Sequence, residues 1–395
     1  MSRHSASLLS LAAVLSTAAA AQDRIAVSVE NLAPRQGTFQ TPVWIGVHDG
    51  TFDMYDSGQP ASGPNSPLGD NSLETLAEDG GTGPIAANFL GSGTGTVETT
   101  VFGPNGPIAP GDRAYASLLV DPLAQTSRYF SYASMVLPSN DAFVANGNPL
   151  AHMVYDGAGN FVFADFIDNG VLDAGTEVND ELPMNTAFFG QTMPNTGVPE
   201  NGVVMPHLGF NPRGSGGILD DFRYSNGDFT LPGYSPVMVR IRRATAIVDD
   251  RDFAGIANGA NQVPAVSTNA GARIGALLRT GGTTLEVLFA SRNLSNVVGA
   301  DLHLGAAGAT GPVIANLIAP REPGGGPFGN DLQTFTLTGA DLTGPLADFP
   351  LDALVAEIEA GNVYFNVRTS DGDPNTSGAA GDNPDGEIRA QLARQ

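Results

Sequence analysis

The sequence predicts an all-β chain: two β-sandwich domains carrying one or two short helices. Short apolar runs with a period of two recur along most of the chain. Its Gly 50 and Pro 28 fall between those runs rather than in one tract, which marks turns between strands, not disorder. There is no Cys, so such folds must be held by core burial, by metal, or by both.

Residues 1–21 read as an export signal. Arg3 gives a basic start, Leu8 to Val14 an apolar core, and Ala19-Ala20-Ala21 a cleavage site before Gln22. No Cys follows the apolar run, which argues against a lipid anchor. No later run has the roughly 18 apolar residues of a membrane helix. The expectation is an exported chain, extracellular or periplasmic, with no membrane insertion.

Residues 22–248 form the first expected domain. Arg24 to Glu30 alternate, with Ile25, Val27 and Val29 on one face, as in a half-buried strand. Pro42 to His48 is a second strand. Ser72 to Asp79 is a short helix with Ser72 as N-cap and Glu74 and Asp79 outward. Strands are further expected at Arg113–Val120, Phe130–Leu137, Leu150–Val154, Phe161–Phe166 and Val237–Ile241.

The charged spacer from Val248 to Arg251 opens a second expected domain, residues 249–395. Its strands are expected at Asp252–Ala257, Ala272–Leu278, Leu285–Ala290, Gly299–Leu304, Val313–Leu317, Gln333–Leu337, Asn362–Thr369 and Gly386–Leu392. Turn signals at that spacing suit a sandwich. One helix, Leu351 to Glu359, is bracketed by Pro350 and Gly361.

The chain has 41 Asp and Glu against 18 basic residues, all of them Arg, for a net charge of −23. Phosphate binding needs clustered cations, so nucleic acid is not an expected partner. The excess acid favours solubility and cation binding.

Asp173 to Glu181 crowds five acidic or amide side chains around Gly175. Hard oxygen ligands on such a turn suit Ca²⁺. The plain alternative is an acidic loop whose Asp and Asn serve turn geometry. A second acidic stretch places Asp371, Asp373, Asn375 and Asp382 at calcium-loop positions. It lacks the loop's Gly at Thr376 and its final Glu, and a polar hairpin is the plainer reading.

Nothing in the sequence carries a nucleophile elbow, a P-loop or a dinucleotide fingerprint. His48, His152, His207 and His303 are scattered, and lone strand histidines are more often structural. His48 and Asp49, adjacent on a strand, face opposite sides. Gly214 to Gly217 is a flexible loop. Trp44, the only Trp, reads as a packing residue, with a sugar platform as the sharper alternative.

Several motifs carry a family resemblance. They are Val29 to Pro34, Val47 to Gly50, Ser57 to Ser62, Leu76 to Gly80, Ala133 to Phe143 (Ala-Ser-Met-Val-Leu-Pro-Ser-Asn-Asp-Ala-Phe) and Asp173 to Glu181. In this order the first half resembles the bacterial form of the spondin N-terminal domain. The resemblance implies a β-sandwich of matrix and adhesion proteins with a bound divalent cation, its carboxylates falling on Asp141, Asp173 and Glu177. Glu177 stands where animal members typically have Asp, and their cysteines are missing.

Gly255 to Pro264, Gly339 to Leu346, Ala360 to Thr369 and Gly386 to Leu392 make the second half similar to the CHRD domain. Gln262 replaces that family's usual Glu. Asp301, His303 and Arg368 occupy positions where it usually has three histidines, which puts any metal role of that cluster in doubt.

The resulting expectation is a non-enzymatic, calcium-binding protein of adhesion or matrix type. Ca²⁺ would be structural and the partner an extracellular or cell-surface protein or glycan. The alternative is a carbohydrate-active protein, either a lectin-like binder or a glycoside hydrolase with a spatially paired set of carboxylates.

Overall fold

The computed structural model describes residues 22–162, 164–168, 170–245, 250–279, 283–323, 330–373 and 378–395. The expected signal at 1–21, the boundary at 248/249 and Asn375 lie outside them. The chain is all-β, as expected.

Strands of the first half are β1 (Asp23–Glu30), β2 (Phe39–Gln40), β3 (Val43–His48), β4 (Gly95–Val101), β5 (Arg113–Val120), β6 (Tyr129–Leu137), β7 (Ala142–Ala145), β8 (Ala164–Asp168), β9 (Leu172–Asp173), β10 (Met205–Pro206) and β11 (Val237–Ala244). They form a four-stranded sheet, β5-β1-β11-β8, and a seven-stranded sheet, β10-β9-β7-β6-β3-β4 with β2 beside β6. Ile25, Val27, Val239 and Ile241 of the first sheet share one core with Val43, Ile45, Val47 and Phe130 of the second, so the two pack face to face.

The outer face of the larger sheet lies under helices α1 (Ser72–Asp79) and α2 (Gly83–Ser92). Leu73, Leu76, Ala77, Ile85 and Phe89 of the helices pack there with Trp44, Ala133, Phe143 and Ala145. The expected helix at 72–79 is α1, with Asn71 and not Ser72 at its N-cap. Helix α2 is an addition, disguised in the sequence by the Gly83-Pro84 start and by Gly91. Gly80 ends α1 in the left-handed conformation, φ 67°, as a helix-terminating glycine does.

Strands of the second half are β12 (Arg251–Asn258), β13 (Gly271–Leu278), β14 (Leu285–Arg292), β15 (Val297–Leu304), β16 (Val313–Ile318), β17 (Leu332–Leu337), β18 (Val363–Thr369), β19 (Ile388–Gln391) and β20 (Ala393–Arg394); helix α3 spans Leu351–Glu359. They form one nine-stranded sheet, β16-β15-β18-β19-β12-β13-β14-β17, with β20 beside β12. Phe289 of β14 and Phe365 of β18 are four strands apart in this order, yet their rings lie 4.9 Å apart. The sheet therefore curls over a single core, which also takes Leu354 and Ile358 of α3.

Two expectations change. The segment Leu150–Val154 is not a strand: Asn148 accepts from the Leu150 and Ala151 amides, making a turn, and only Met153 forms a bridge, to Tyr129. Strand β1 is buried on both faces, not one. Ala26 and Ala244 on its far side join the core of the second half. There Arg242, 1 % exposed, lies over the Phe349 ring at 5.3 Å and donates to the Pro345 carbonyl. The Thr245 amide donates to the Asp352 carbonyl at 3.1 Å.

Candidate functional site

The acidic segment begins where β9 pairs with β7, Asp173 opposite Ala142, which sets Asp173 beside Asp141 at the strand end. The chain then turns through Gly175, φ 66°. A side chain there would be strained, and its Cβ would meet the Val203 amide nitrogen at 2.6 Å. This turn aims successive amides at Asp141. One Asp141 oxygen, Oδ2, accepts from the Thr176 amide at 2.7 Å, the Glu177 amide at 3.1 Å and the Thr176 hydroxyl at 3.2 Å.

Most other acids in the segment bind local amides. Asp173 accepts from the Gly175 amide at 2.7 Å and from Asn179 Nδ2 at 2.8 Å. Asn179 Oδ1 in turn accepts from His207 Nε2 at 3.3 Å, because His207 Nδ1 itself accepts from the Gly209 amide. Asp180 accepts from Leu182 and Asn185, and Glu181 clamps the amides of Asn211 and Ile218. These are the turn roles that the plain reading assigns to such residues.

Asp141 and Glu177 differ. They are 0 % and 3 % exposed, and Asp141 Oδ1 and Glu177 Oε2 have no hydrogen-bond partner. The other Glu177 oxygen accepts from the Gly197 amide at 2.9 Å. A Cβ at 197 would displace the Glu177 carboxyl group from this position.

Glu78 at the end of α1, 7 % exposed, is a further buried carboxylate here, and its sequence context does not mark it as a site residue. Its one signal was position: a helix C-terminus disfavours negative charge. Burial pushes the Glu177 carboxyl up to about 8, with Glu78 as the strongest neighbouring charge. Burial likewise raises Glu78 to about 7, against the Thr176 hydroxyl, which lowers it. Asp141 rises to about 6 through burial and the charge of Asp173, despite its amide donors.

Among the described residues, no three His, Asp or Glu side chains converge as a metal site requires. Asp141 and Glu177 present free oxygens, while both oxygens of half-buried Asp173 are turned to the loop. Of the second expected set, Asp371 and Asp373 are exposed, Asp382 is buried and Asn375 lies outside the described residues.

Other candidates resolve as structural. Trp44 is 0 % exposed between Phe52 and Phe89, which rules out a sugar platform. His48 donates to the Ser131 hydroxyl at 2.8 Å and is buried, away from catalysis with Asp49, which caps Thr51. His152 stacks on Phe166 at 3.5 Å.

On the second half, Arg368 of β18 donates from Nε and Nη2 to Asp301 Oδ2 of β15, both at 2.9 Å. His303 donates from Nδ1 to the Gly311 carbonyl at 2.9 Å and stacks on Tyr364. A guanidinium thus already neutralises the buried carboxylate of this cluster.

No curated protein and no solved structure matches the chain. The resemblance of the first half to the spondin N-terminal domain has no support from a family match. Residues 253–392, from within β12 to just past β19, match the family model of the CHRD domain.

Proposed function

We propose that this is an exported, non-enzymatic binding protein of matrix or adhesion type whose first half holds a structural Ca²⁺. One observation carries the cation: Asp141 Oδ1 and Glu177 Oε2 are buried, acidic and without a partner. Buried carboxylates that repel one another need a proton or a cation between them. Ca²⁺ suits all-oxygen donors in a loose shell. Asp141 and Glu177 would hold it, and Asp173 would shape the loop that presents them. The ion would supply charge neutralisation and tie this loop to the sheet edge.

The first half also exposes large apolar side chains. Met184, Leu208 and Phe222, which lie beyond the acidic loop in sequence, are 72 %, 84 % and 75 % exposed. Side chains of this size are available to a protein or glycan partner. The resemblance to spondin N-terminal domains points to the same class of work.

The test is thermal melting of the full chain in Ca²⁺ and in chelator. An ion bound only to the native state raises the midpoint. An unchanged midpoint removes the cation. A screen of extracellular proteins and glycans with and without Ca²⁺ then tests whether the edge binds.

A further inference from the structure

We propose that the outer face of the second half binds an extended acidic peptide, in a trough along β13 that takes two carboxylates from alternate peptide positions. The trough is remote from the acidic loop in sequence and does not depend on the cation.

The trough follows from the alternation of β13. Ala272, Ile274, Ala276 and Leu278 point into the core, so Gly271, Arg273 and Gly275 share the opposite face. Neither glycine has the left-handed φ that would require one. Their effect is to leave β13 without side chains on either side of Arg273. A Cβ at 275 would meet nothing closer than the Phe253 carbonyl oxygen, at 4.0 Å. Glycine inside a strand often marks a site where another backbone approaches closely. Register builds the walls. Strand β12 sets Ile256 beside Arg273 and Asn258 beside Gly271, and β14 sets Ala290 and Arg292 beside the same two positions. The resulting groove is about 390 Å³, and Ile256 in its wall is 63 % exposed.

The charge of this groove runs against that of the chain. Acids outnumber arginines 41 to 18. Yet among the described residues Arg273 and Arg292 form no ion pair and no hydrogen bond. Arg292 lies across Gly271: a Cβ there would be 3.2 Å from its Nε and 3.7 Å from its Nη2. Its guanidinium thus rests on the trough floor. Asn258 adds a donor, since its Oδ1 accepts from the Asn261 amide at 3.0 Å and leaves Nδ2 to the groove.

Guanidinium groups over an aliphatic surface suit carboxylates, which they bind through two parallel hydrogen bonds. Positions 271 and 273 are about 7 Å apart along the strand, the spacing of alternate side chains in any extended peptide. A peptide laid along β13 therefore meets Arg273 with one carboxylate and Arg292, beside Gly271, with the next. Asp252 and Glu286 flank Leu277 at the other end of this face, which confines the ligand's acids to the arginine end. Among the described residues no aromatic ring lines the groove, so a sugar finds no stacking face. Two arginines are too few for nucleic acid.

Fluorescence anisotropy of a labelled, end-blocked peptide alternating Glu and Val tests this on the full chain. Chelator is present, so the outcome is independent of the cation reading. The Glu peptide is expected to bind at least tenfold more tightly than its Gln counterpart, and less tightly as salt is added. Arg273→Gln and Arg292→Gln should each weaken it about tenfold with Tm unchanged, as for loss of one charge-assisted contact. Gly271→Ala, which keeps both charges but crowds Arg292 off the floor, should weaken it as well. The proposal is overturned if the Glu peptide does not bind, if the Gln peptide binds equally, or if these variants bind as wild type does. It is equally overturned if a sulfated oligosaccharide binds through the same arginines where the peptide does not.

Discussion

The Asp348 carboxylate accepts from the Arg240 guanidinium at 2.9 Å across the junction between the two halves. Arg113 reaches the same carboxylate, and Glu30 closes the network on β1. Arg242, Phe349 and α3 fill the space beside it. A junction of this kind couples the halves, so they are expected to unfold together. Trp44 sits only in the first half, so its fluorescence should change at the same midpoint as the far-ultraviolet dichroism of the whole chain. Asp348→Ala, which removes an acceptor shared by two guanidinium groups, should cost about 1–3 kcal/mol. The lower end is expected, because Arg113 is partly solvated.

Trp44 itself is wholly buried, with ring centroids of Phe89 at 5.3 Å and Phe52 at 5.5 Å. Trp44→Ala should destabilise the chain by about 3–5 kcal/mol through lost packing and a cavity. Trp44→Phe should cost much less. Denaturant melts followed by dichroism would check both, and a near-neutral Trp44→Ala would contradict the packing.

The buried carboxylates make metal-free stability depend on pH with a definite sign. Glu177 rises to about 8, Glu78 to about 7 and Asp141 to about 6. Glu74, Asp79 and Asp173 add like charge around them. The native state therefore holds protons that the unfolded chain has released, and stability falls as pH rises through this range. His48 and His152 work the other way: burial lowers both from 6.5 to about 4, so their contribution is lost as pH drops below 6.5. Between about pH 6.5 and 8 the carboxylates act alone. Metal-free Tm should fall across that window, and Ca²⁺ should flatten the slope by replacing the protons.

Much of this fold was legible from the sequence because most strands alternate. Ile25, Val27 and Val29 announce one core face, and the β13 and β14 pattern announces another. What stayed hidden was the second buried face of β1 and β11. Arg240 and Arg242 read there as solvent positions, and partners distant in sequence make their burial tolerable: Glu30 and Asp348 for Arg240, Asp165 and Pro345 for Arg242. The candidate site was half legible for a similar reason. Asp173, Asp180 and Glu181 look like Glu177 in sequence, but local amides occupy their oxygens. Which carboxylates remain free depends on the turn at Gly175, and the presence of Glu78 depends on how α1 packs.

The pair of Asp301 and Arg368 offers a sharper test in the second half. Asp301 is 0 % exposed, and its Oδ1 has no hydrogen-bond partner. Burial raises its pKa, while the Arg368 charge holds it back. Arg368→Ala strands this carboxylate, which should cost toward the lower end of about 3–5 kcal/mol, since Arg368 is partly exposed. The loss should grow as pH rises, because protonating Asp301 relieves the uncompensated charge and deprotonating it restores the penalty. Asp301→Asn combined with Arg368→Ala removes both charges and should recover most of the stability, with no such pH dependence. Urea melts of the wild type, both single variants and the double variant at two pH values give the coupling energy directly. Equal losses for Arg368→Ala at both pH values would mean that packing by the guanidinium stem, not its charge, is what Asp301 requires.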